Sequence, residues 1–143
     1  QSIADGTRVI AATPQKDEAY HARAASYLSQ GKTDEALADY DRAIAIDPKN
    51  PESFIGRALV FEQLNDRPNV LAEFNKAVAV APDYAPIYLA RAEIADKWGD
   101  KYMAIENYTQ LLKYEDTHYN ARKALNRLGV DWPDARATGV ARP

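Results

Sequence analysis

The sequence contains no cysteine among its 143 residues. This absence excludes disulfide bonds, zinc–thiolate sites and thiol chemistry, because each of them needs a cysteine sulfur. It leaves the compartment open, because cytosolic and periplasmic proteins can both lack cysteine. Because the chain begins at Gln1 and not at methionine, we expect a processed or excised product. It would be soluble in the cytoplasm or, if a signal peptide has been removed, in a bacterial periplasm.

Long apolar runs and an excess of basic residues are also missing. No stretch approaches the roughly 18 consecutive apolar residues that a membrane span needs, so we predict none. Acidic residues outnumber basic ones 21 to 18, which gives a net charge of −3. This balance argues against a general nucleic-acid binder, whose domain is normally strongly basic. With 46% hydrophobic and 27% charged residues, the composition is that of a globular protein and not of a disordered one.

Recognisable catalytic and metal-binding motifs are absent as well. The sequence has no glycine-rich nucleotide loop, phosphate loop, nucleophile elbow or His-Glu-x-x-His motif. Its two histidines are His21 and His118. His21 follows Glu18 by about one helical turn, and one histidine with one carboxylate makes a poor metal site without further ligands. We therefore predict no enzyme, no catalytic residue, no metal and no cofactor, and we expect His21 on the surface or in a groove.

What the sequence does have is a repeat with a period of 34 residues. The dipeptide Arg-Ala occurs at 23–24, 57–58 and 91–92, and a proline recurs with the same period at 14, 48 and 82. Repeats of this length are typical of solenoids. Apolar residues within each unit follow helical spacing, and polar or glycine-containing breaks fall at 30–32, 64–66 and 98–100. Each unit is therefore predicted to be a pair of helices, and we expect Thr33 and Thr117 to cap the helices that follow them.

The repeated residues resemble the tetratricopeptide repeat (TPR) family. The first unit has Tyr20-x2-Arg23-Ala24-x2-Tyr27, then Ala36-x3-Tyr40, then Pro48. The second has Phe54-x2-Arg57-Ala58-x2-Phe61, Val70-x3-Phe74 and Pro82. The third follows with Tyr88-x2-Arg91-Ala92 and Ala104-x3-Tyr108, but it has Ala95 and Asp116 where an aromatic residue and proline belong.

The resemblance implies an all-α solenoid with a right-handed superhelix. We predict a second-helix remnant of a preceding repeat at 1–16, three full repeats at 17–50, 51–84 and 85–118, a C-terminal capping helix at 119–129 and a tail at 130–143. The aromatic residues of the pattern are expected in the core. For the arginines at 23, 57 and 91 two alternatives stand: each pairs with a carboxylate of its own chain, or the row binds an anionic partner.

In this family the first helices line a concave face that receives an extended peptide or a helix. The resemblance places the following residues on that face: Glu18, His21, Ala25, Leu28 and Ser29 in the first repeat, Glu52, Ile55, Leu59, Glu62 and Gln63 in the second, and Pro86, Leu89, Glu93, Asp96 and Lys97 in the third. Apolar and acidic side chains together favour a partner with apolar and basic residues. A solvated face with scattered leucines is the alternative.

The residues of this sequence argue against one subtype of the family, the members that bind chaperones. Members that bind chaperones hold a C-terminal carboxylate with lysine, asparagine and arginine side chains. The corresponding positions here are His21, Ala25, Gly56, Pro86 and Ala90, which lack the cationic and amide donors that such a clamp needs.

The predicted function is a non-catalytic protein-interaction module or scaffold that binds a peptide or helix in the concave groove. The alternative is a self-assembling scaffold that uses exposed repeat ends and the basic C-terminal helix. The charge distribution fits either function, because residues 17–118 have 11 basic against 18 acidic residues and residues 119–143 have 5 against 2. An acidic body with a basic end favours a basic peptide or a head-to-tail contact.

Overall fold

The computed structural model describes residues 16–131, and within them it contains seven α-helices and no strand. The helices are α1 (Asp17–Ser29), α2 (Thr33–Ile46), α3 (Pro51–Gln63), α4 (Arg67–Val80), α5 (Ala85–Trp98), α6 (Lys101–Tyr114) and α7 (Tyr119–Arg127). The predicted remnant before Lys16 and the tail beyond Asp131 lie outside the described residues. The described residues divide into two compact units, the first ending at Pro82 and the second beginning at Asp83, which are considered separately.

The turn inside each helix pair contains one residue with a left-handed backbone. Gly31 and Gly99 each have φ = +75°, and Asn65 has φ = +58°. Glycine and asparagine adopt this conformation more readily than other residues, which explains why the helices end here. The spacing of these three residues repeats the 34-residue period of the sequence, so the same turn is built three times.

Helix starts follow the same register, but the two threonines do not cap them. Lys32 precedes α2 without a side-chain cap, and Thr33 is already the first helical residue. At the equivalent positions, the side chains of Asp66 and Asp100 accept hydrogen bonds from the first turns of α4 and α6. The cap of α7 is His118, not Thr117. The prediction of threonine caps was wrong by one residue in each case, because the cap must be the residue that leaves helical geometry.

The first unit is packed around small residues where its helices cross. Ala24, Ala36 and Ala58 are fully buried, and Tyr40 of α2 is 2% exposed. Gly56 of α3 lies against that tyrosine, and a Cβ atom added there would stand 2.2 Å from Tyr40 Cε1. The aromatic ring therefore occupies the space that any other residue at position 56 would need.

The second unit uses the same arrangement with a further helix. Ala92 and Ala104 are fully buried where α5 and α6 meet, and Leu111 of α6 is 1% exposed. Helix α7 packs against α6 and contributes Leu125, which is fully buried. The rings of Tyr88 and Tyr114 stack at 5.8 Å between centroids.

The expectation that the pattern's aromatic residues form the core is confirmed for five of them. Tyr40, Phe54, Phe74, Tyr88 and Tyr108 are buried. Three others, Tyr20, Tyr27 and Phe61, are only half-buried, although Tyr27 packs against the buried cluster that contains Ala24 and Tyr40.

Candidate functional site

The predicted groove residues lie on α1 and α3 in the first unit and on α5 in the second, and each unit is described by itself. In the first unit Glu18, Ala25 and Gln63 are exposed, while Leu28 and Glu62 are half-buried. In the second unit Glu93 and Lys97 are exposed, while Leu89 and Asp96 are half-buried. These side chains therefore mix apolar and charged surface on the first helix of each pair.

The two apolar residues that α3 contributes differ sharply in accessibility. Ile55 is 7% exposed, whereas Leu59, one turn later, is 37% exposed. A ligand can bury the side chain of Leu59, but little of Ile55 remains for it to contact. Within α3 the accessible apolar contact is thus Leu59, and Ile55 belongs to the packed layer beneath it.

His21 is held by contacts between α1 and two other helices. Its Nε2 atom lies 3.1 Å from the backbone carbonyl oxygen of Glu52 at the start of α3, so Nε2 bears the hydrogen and donates. The imidazole also meets the ring of Tyr40 edge-on at 5.3 Å between centroids. The placement gives His21 a role in joining the first helix pair to the next.

Tyr40 and its neighbours create an environment that disfavours a further negative charge. Burial raises the pKa of Tyr40 to about 12, and the Glu52 carboxylate adds to the effect. The phenol therefore remains neutral through the physiological range.

The second unit has a cleft that includes two of the predicted groove residues, Leu89 and Glu93. Its volume is 320 Å³, and Leu89, Glu93, Tyr108, His118 and Asn120 line it. His118 forms part of the wall while capping α7, because its Nδ1 accepts a hydrogen bond of 3.1 Å from the backbone N–H of Ala121. The sequence did not indicate this cleft, because its lining comes from α5, α6 and the start of α7.

The carboxylate of Asp96 is hydrogen-bonded within the second unit. Arg127 of α7 donates two hydrogen bonds to its carboxylate, one to each oxygen, and the Tyr108 hydroxyl donates a third at 3.4 Å. Burial raises the pKa of Tyr108 to about 12, with Asp96 and Glu93 contributing in the same direction. Sequence reasoning missed the pairing of Arg127 with an acid of α5. The repeat supplies a partial signal, because residue 127 follows Glu93 by one full period.

The arginine row is used inside the protein. Each arginine hydrogen-bonds a side chain 16 residues later, on the second helix of its own pair: Arg23 binds Asp39 at 2.6 and 2.8 Å, Arg57 binds Glu73 at 3.0 and 2.6 Å, and Arg91 binds Asn107 at 2.7 Å. The carboxylates of Asp39 and Glu73 are almost completely buried. The expectation that these arginines pair within the chain is confirmed for the first two, and the alternative of an anion-binding row loses its basis.

The third arginine differs from the first in the direction of its pKa shift and in the charge of its partner. The side-chain hydrogen bond to Asp39 raises the pKa of Arg23, whereas burial lowers the pKa of Arg91. The difference arises because the partner of Arg91 is the neutral amide of Asn107. Arg91 therefore joins α5 to α6 without the ion pair that the first two repeats have.

Within residues 16–131, no three or more histidine or carboxylate side chains are grouped so that they could bind a metal ion. None of the helices in that range has the length and apolar character to span a membrane.

The repeat assignment is supported by two family models. A TPR repeat model matches residues 25–65, and a tetratricopeptide repeat model matches residues 85–118. A comparison with curated protein sequences found no significant match.

Solved structures resemble the chain over most of its length. The first TPR of Spaghetti (RPAP3), bound to the HSP90 peptide SRMEEVD, is 25% identical, with a TM-score of 0.71, and the match covers 88% of this chain and 98% of that one. TTC0263, a thermophilic TPR protein of Thermus thermophilus, is 21% identical, with a TM-score of 0.80 and coverage of 88% and 70%.

The first TPR domain of human RPAP3 is 25% identical, with a TM-score of 0.70, and the match covers 81% of this chain and 91% of that one. Together with the repeated helix pairs, these matches confirm the predicted all-α solenoid. The protein belongs to the tetratricopeptide repeat family.

Proposed function

We propose that the protein is a non-catalytic interaction module that binds a peptide or a helix of a partner protein through the candidate groove residues of α1, α3 and α5. The observation that carries the proposal is the exposure of Leu59, which is 37% accessible on the first helix of its pair. Other potentially interactive groups, such as His21 and the arginine row, are already bonded within the protein. An accessible leucine in a helical groove is a typical anchor for a partner's apolar side chain.

The charge of the groove residues supports a partner with basic side chains. Glu18 and Glu93 are exposed acids on these helices, and opposite charge steers and orients a binding partner. The peptide SRMEEVD bound by the first TPR of Spaghetti (RPAP3) is rich in acidic residues. Because His21, Gly56 and Pro86 occupy positions where chaperone-binding members have polar or cationic donors, we propose a different ligand class for this chain.

The proposal is tested by selecting peptides from a random displayed library on the full chain and measuring their affinity for variants. We expect Leu59→Arg and Leu89→Arg to weaken binding by about tenfold or more, because each places a charge where an apolar contact forms. Leu64→Arg is the matched control, since Leu64 is 47% exposed but lies in the turn after α3. Peptides that bind both groove variants as well as the unaltered chain would refute the proposal.

Self-assembly is the second candidate, and it is favoured by the exposed aromatic surface of α7. Tyr119 begins that helix and is 71% exposed, next to the basic residue Lys123, whose ammonium lies 6.0 Å from the tyrosine ring centroid. Light scattering over a concentration series tests it on the full chain and on Tyr119→Ser. If the unaltered chain stays monomeric at every concentration, this candidate is excluded. If its mass rises with concentration while that of Tyr119→Ser does not, the candidate is supported.

A further inference from the structure

We propose that the cleft on the second unit binds one lysine or arginine side chain of a peptide ligand. The charged head would pair with Glu93, and the aliphatic stem would lie against Leu89. This inference rests on the proposed function, because it assigns one subsite within the groove residues of α5.

The lining of the cleft matches the two parts of such a side chain. Leu89 is half-buried and offers apolar surface in the cleft, whereas Tyr108, at 5% exposure, closes the wall behind it and leaves little surface to contact. Glu93 is exposed. A volume of 320 Å³ leaves room for one long side chain but not for a folded element. Lysine and arginine bury their stems on apolar surface while the charge stays at a polar edge.

The charge of the cleft comes from one residue. Of the five lining residues, Glu93 is the one carboxylic acid. The Nδ1 atom of His118 accepts a hydrogen bond from the backbone N–H of Ala121 and so caps α7. Within residues 16–131, Glu93 forms no ion pair. Its carboxylate is thus available to a cation that enters the cleft, and an exposed pair of this kind gains from the apolar contact made by the stem.

A basic side chain of the protein already binds an acid of α5 one turn after Glu93. Arg127 binds Asp96 through both carboxylate oxygens, and Asp96 follows Glu93 by three residues. Asp96 is 24% exposed at its side chain, and Arg127 is 56% exposed. A guanidinium group therefore already binds a carboxylate at this end of α5. Arg127 occupies Asp96 and leaves Glu93 for a side chain from outside.

The probe for this subsite is Nα-acetyl-arginine amide, with Nα-acetyl-citrulline amide as a neutral compound of nearly the same shape. Each is titrated into the full, isotope-labelled chain while backbone amide NMR signals are followed. We expect the arginine compound to shift the signals of Leu89, Glu93 and Asn120 in a saturable manner and the citrulline compound to leave them in place. Equal shifts with both compounds would overturn the proposal.

Variants then assign the charge to one carboxylate. Glu93→Gln should weaken binding of the arginine compound about two- to fivefold, as expected for an exposed charge pair. Glu115→Gln is the matched control, because Glu115 is an exposed acid of the same unit outside the cleft. Unchanged binding by Glu93→Gln, with folding verified by circular dichroism, would also overturn the proposal.

A substitution of Arg127 should change the affinity in the opposite direction. Arg127→Ala releases Asp96 as a second acceptor, so we expect the arginine compound to bind about two- to fivefold more tightly. Lys123→Ala removes the same charge from the same helix and should have a smaller effect. Equal gains from both variants would show a general charge effect and contradict competition by Arg127.

The subsite and the proposed function can fail separately. If selected peptides depend on Leu59 but gain nothing from arginine over citrulline, the subsite is wrong and peptide binding stands. If no library peptide binds through Leu59 or Leu89, the proposed function is wrong whatever the arginine compound does.

Discussion

Gly56 and Tyr40 occupy adjoining space that no larger pair could share. The Cε1, Cζ and hydroxyl oxygen atoms of the tyrosine lie 2.2, 2.3 and 2.7 Å from where a Cβ of residue 56 would be. The contact brings α3 against α2, the second helix of the preceding pair. Gly56 is thus the residue that permits this approach of two successive helix pairs within the first unit.

Replacing Gly56 with alanine should destabilise the protein by about 1–3 kcal/mol, because the buried ring must shift. This happens although alanine favours helix by about 1 kcal/mol over glycine. Denaturant unfolding measures the change. In a Tyr40→Leu background, which lacks the clashing ring atoms, the same substitution should cost less; an equal cost in both backgrounds would contradict the steric explanation.

Alkaline pH should destabilise the fold through Tyr40. Its pKa is raised to about 12 in the native state, while the unfolded value is near 10. Between these values the unfolded chain has lost the proton and the native state retains it, so the free energy of unfolding falls as pH rises from 10 to 12. A shift of about two units corresponds to about 2–3 kcal/mol.

The measurement is urea unfolding at several pH values from 9 to 12. Tyr40→Phe should reduce the alkaline loss of stability, because the variant has no phenol to ionise at this position. Tyr102→Phe is the control, since Tyr102 is 85% exposed, and it should leave the loss unchanged. A Tyr40→Phe variant with the same pH dependence as the unaltered chain would refute the assignment.

The Asp39 carboxylate should be more important for stability than the Asn107 amide at the same place in the third repeat. Asp39 is fully buried and accepts hydrogen bonds from Arg23 and Arg42. Asp39→Ala would leave the half-buried Arg23 guanidinium without its partner, which typically costs about 3–5 kcal/mol.

Asn107→Ala removes a neutral acceptor from Arg91 and should cost less, about 1–3 kcal/mol. Arg42→Ala is a second comparison, because the Arg42 side chain is 52% exposed and an exposed pair contributes about 1 kcal/mol or less. Thermal or denaturant unfolding ranks the three variants. The opposite order for Asp39 and Asn107 would contradict the role of the buried ion pair.

Ser53→Ala should leave stability unchanged or raise it by about 1 kcal/mol. The Ser53 hydroxyl is fully buried, and its oxygen has no hydrogen-bond partner within the described residues. Removing an unsatisfied buried hydroxyl relieves a desolvation cost. Ser26→Ala is the matched control, because that buried hydroxyl donates to the Ala22 carbonyl at 3.2 Å, and its loss should lower stability slightly. A marked loss with Ser53→Ala would contradict the prediction.

Several features of the fold and the candidate site could be predicted by carrying the 34-residue period further than the motif itself. His118 lies two periods after Asn50, whose side chain caps α3. That phase identifies His118, not Thr117, as the cap of α7. The same phase places Arg127 one period after Glu93, on the first-helix register. What phase cannot give is which acid Arg127 binds, because that depends on the distance between α5 and α7.

The sequence by itself determined the helix pairs, their turns and the family, because these depend on residues close along the chain and on a pattern repeated in phase. Tertiary structure alone decided that Ile55 is buried and Leu59 accessible, that Gly56 faces the Tyr40 ring, and that Arg127 binds Asp96 in the unit that holds the cleft. Each of these results from the close approach of helices that are distant in sequence. Close packing fixes such contacts to within a few tenths of an ångström, a precision that helical periodicity does not contain.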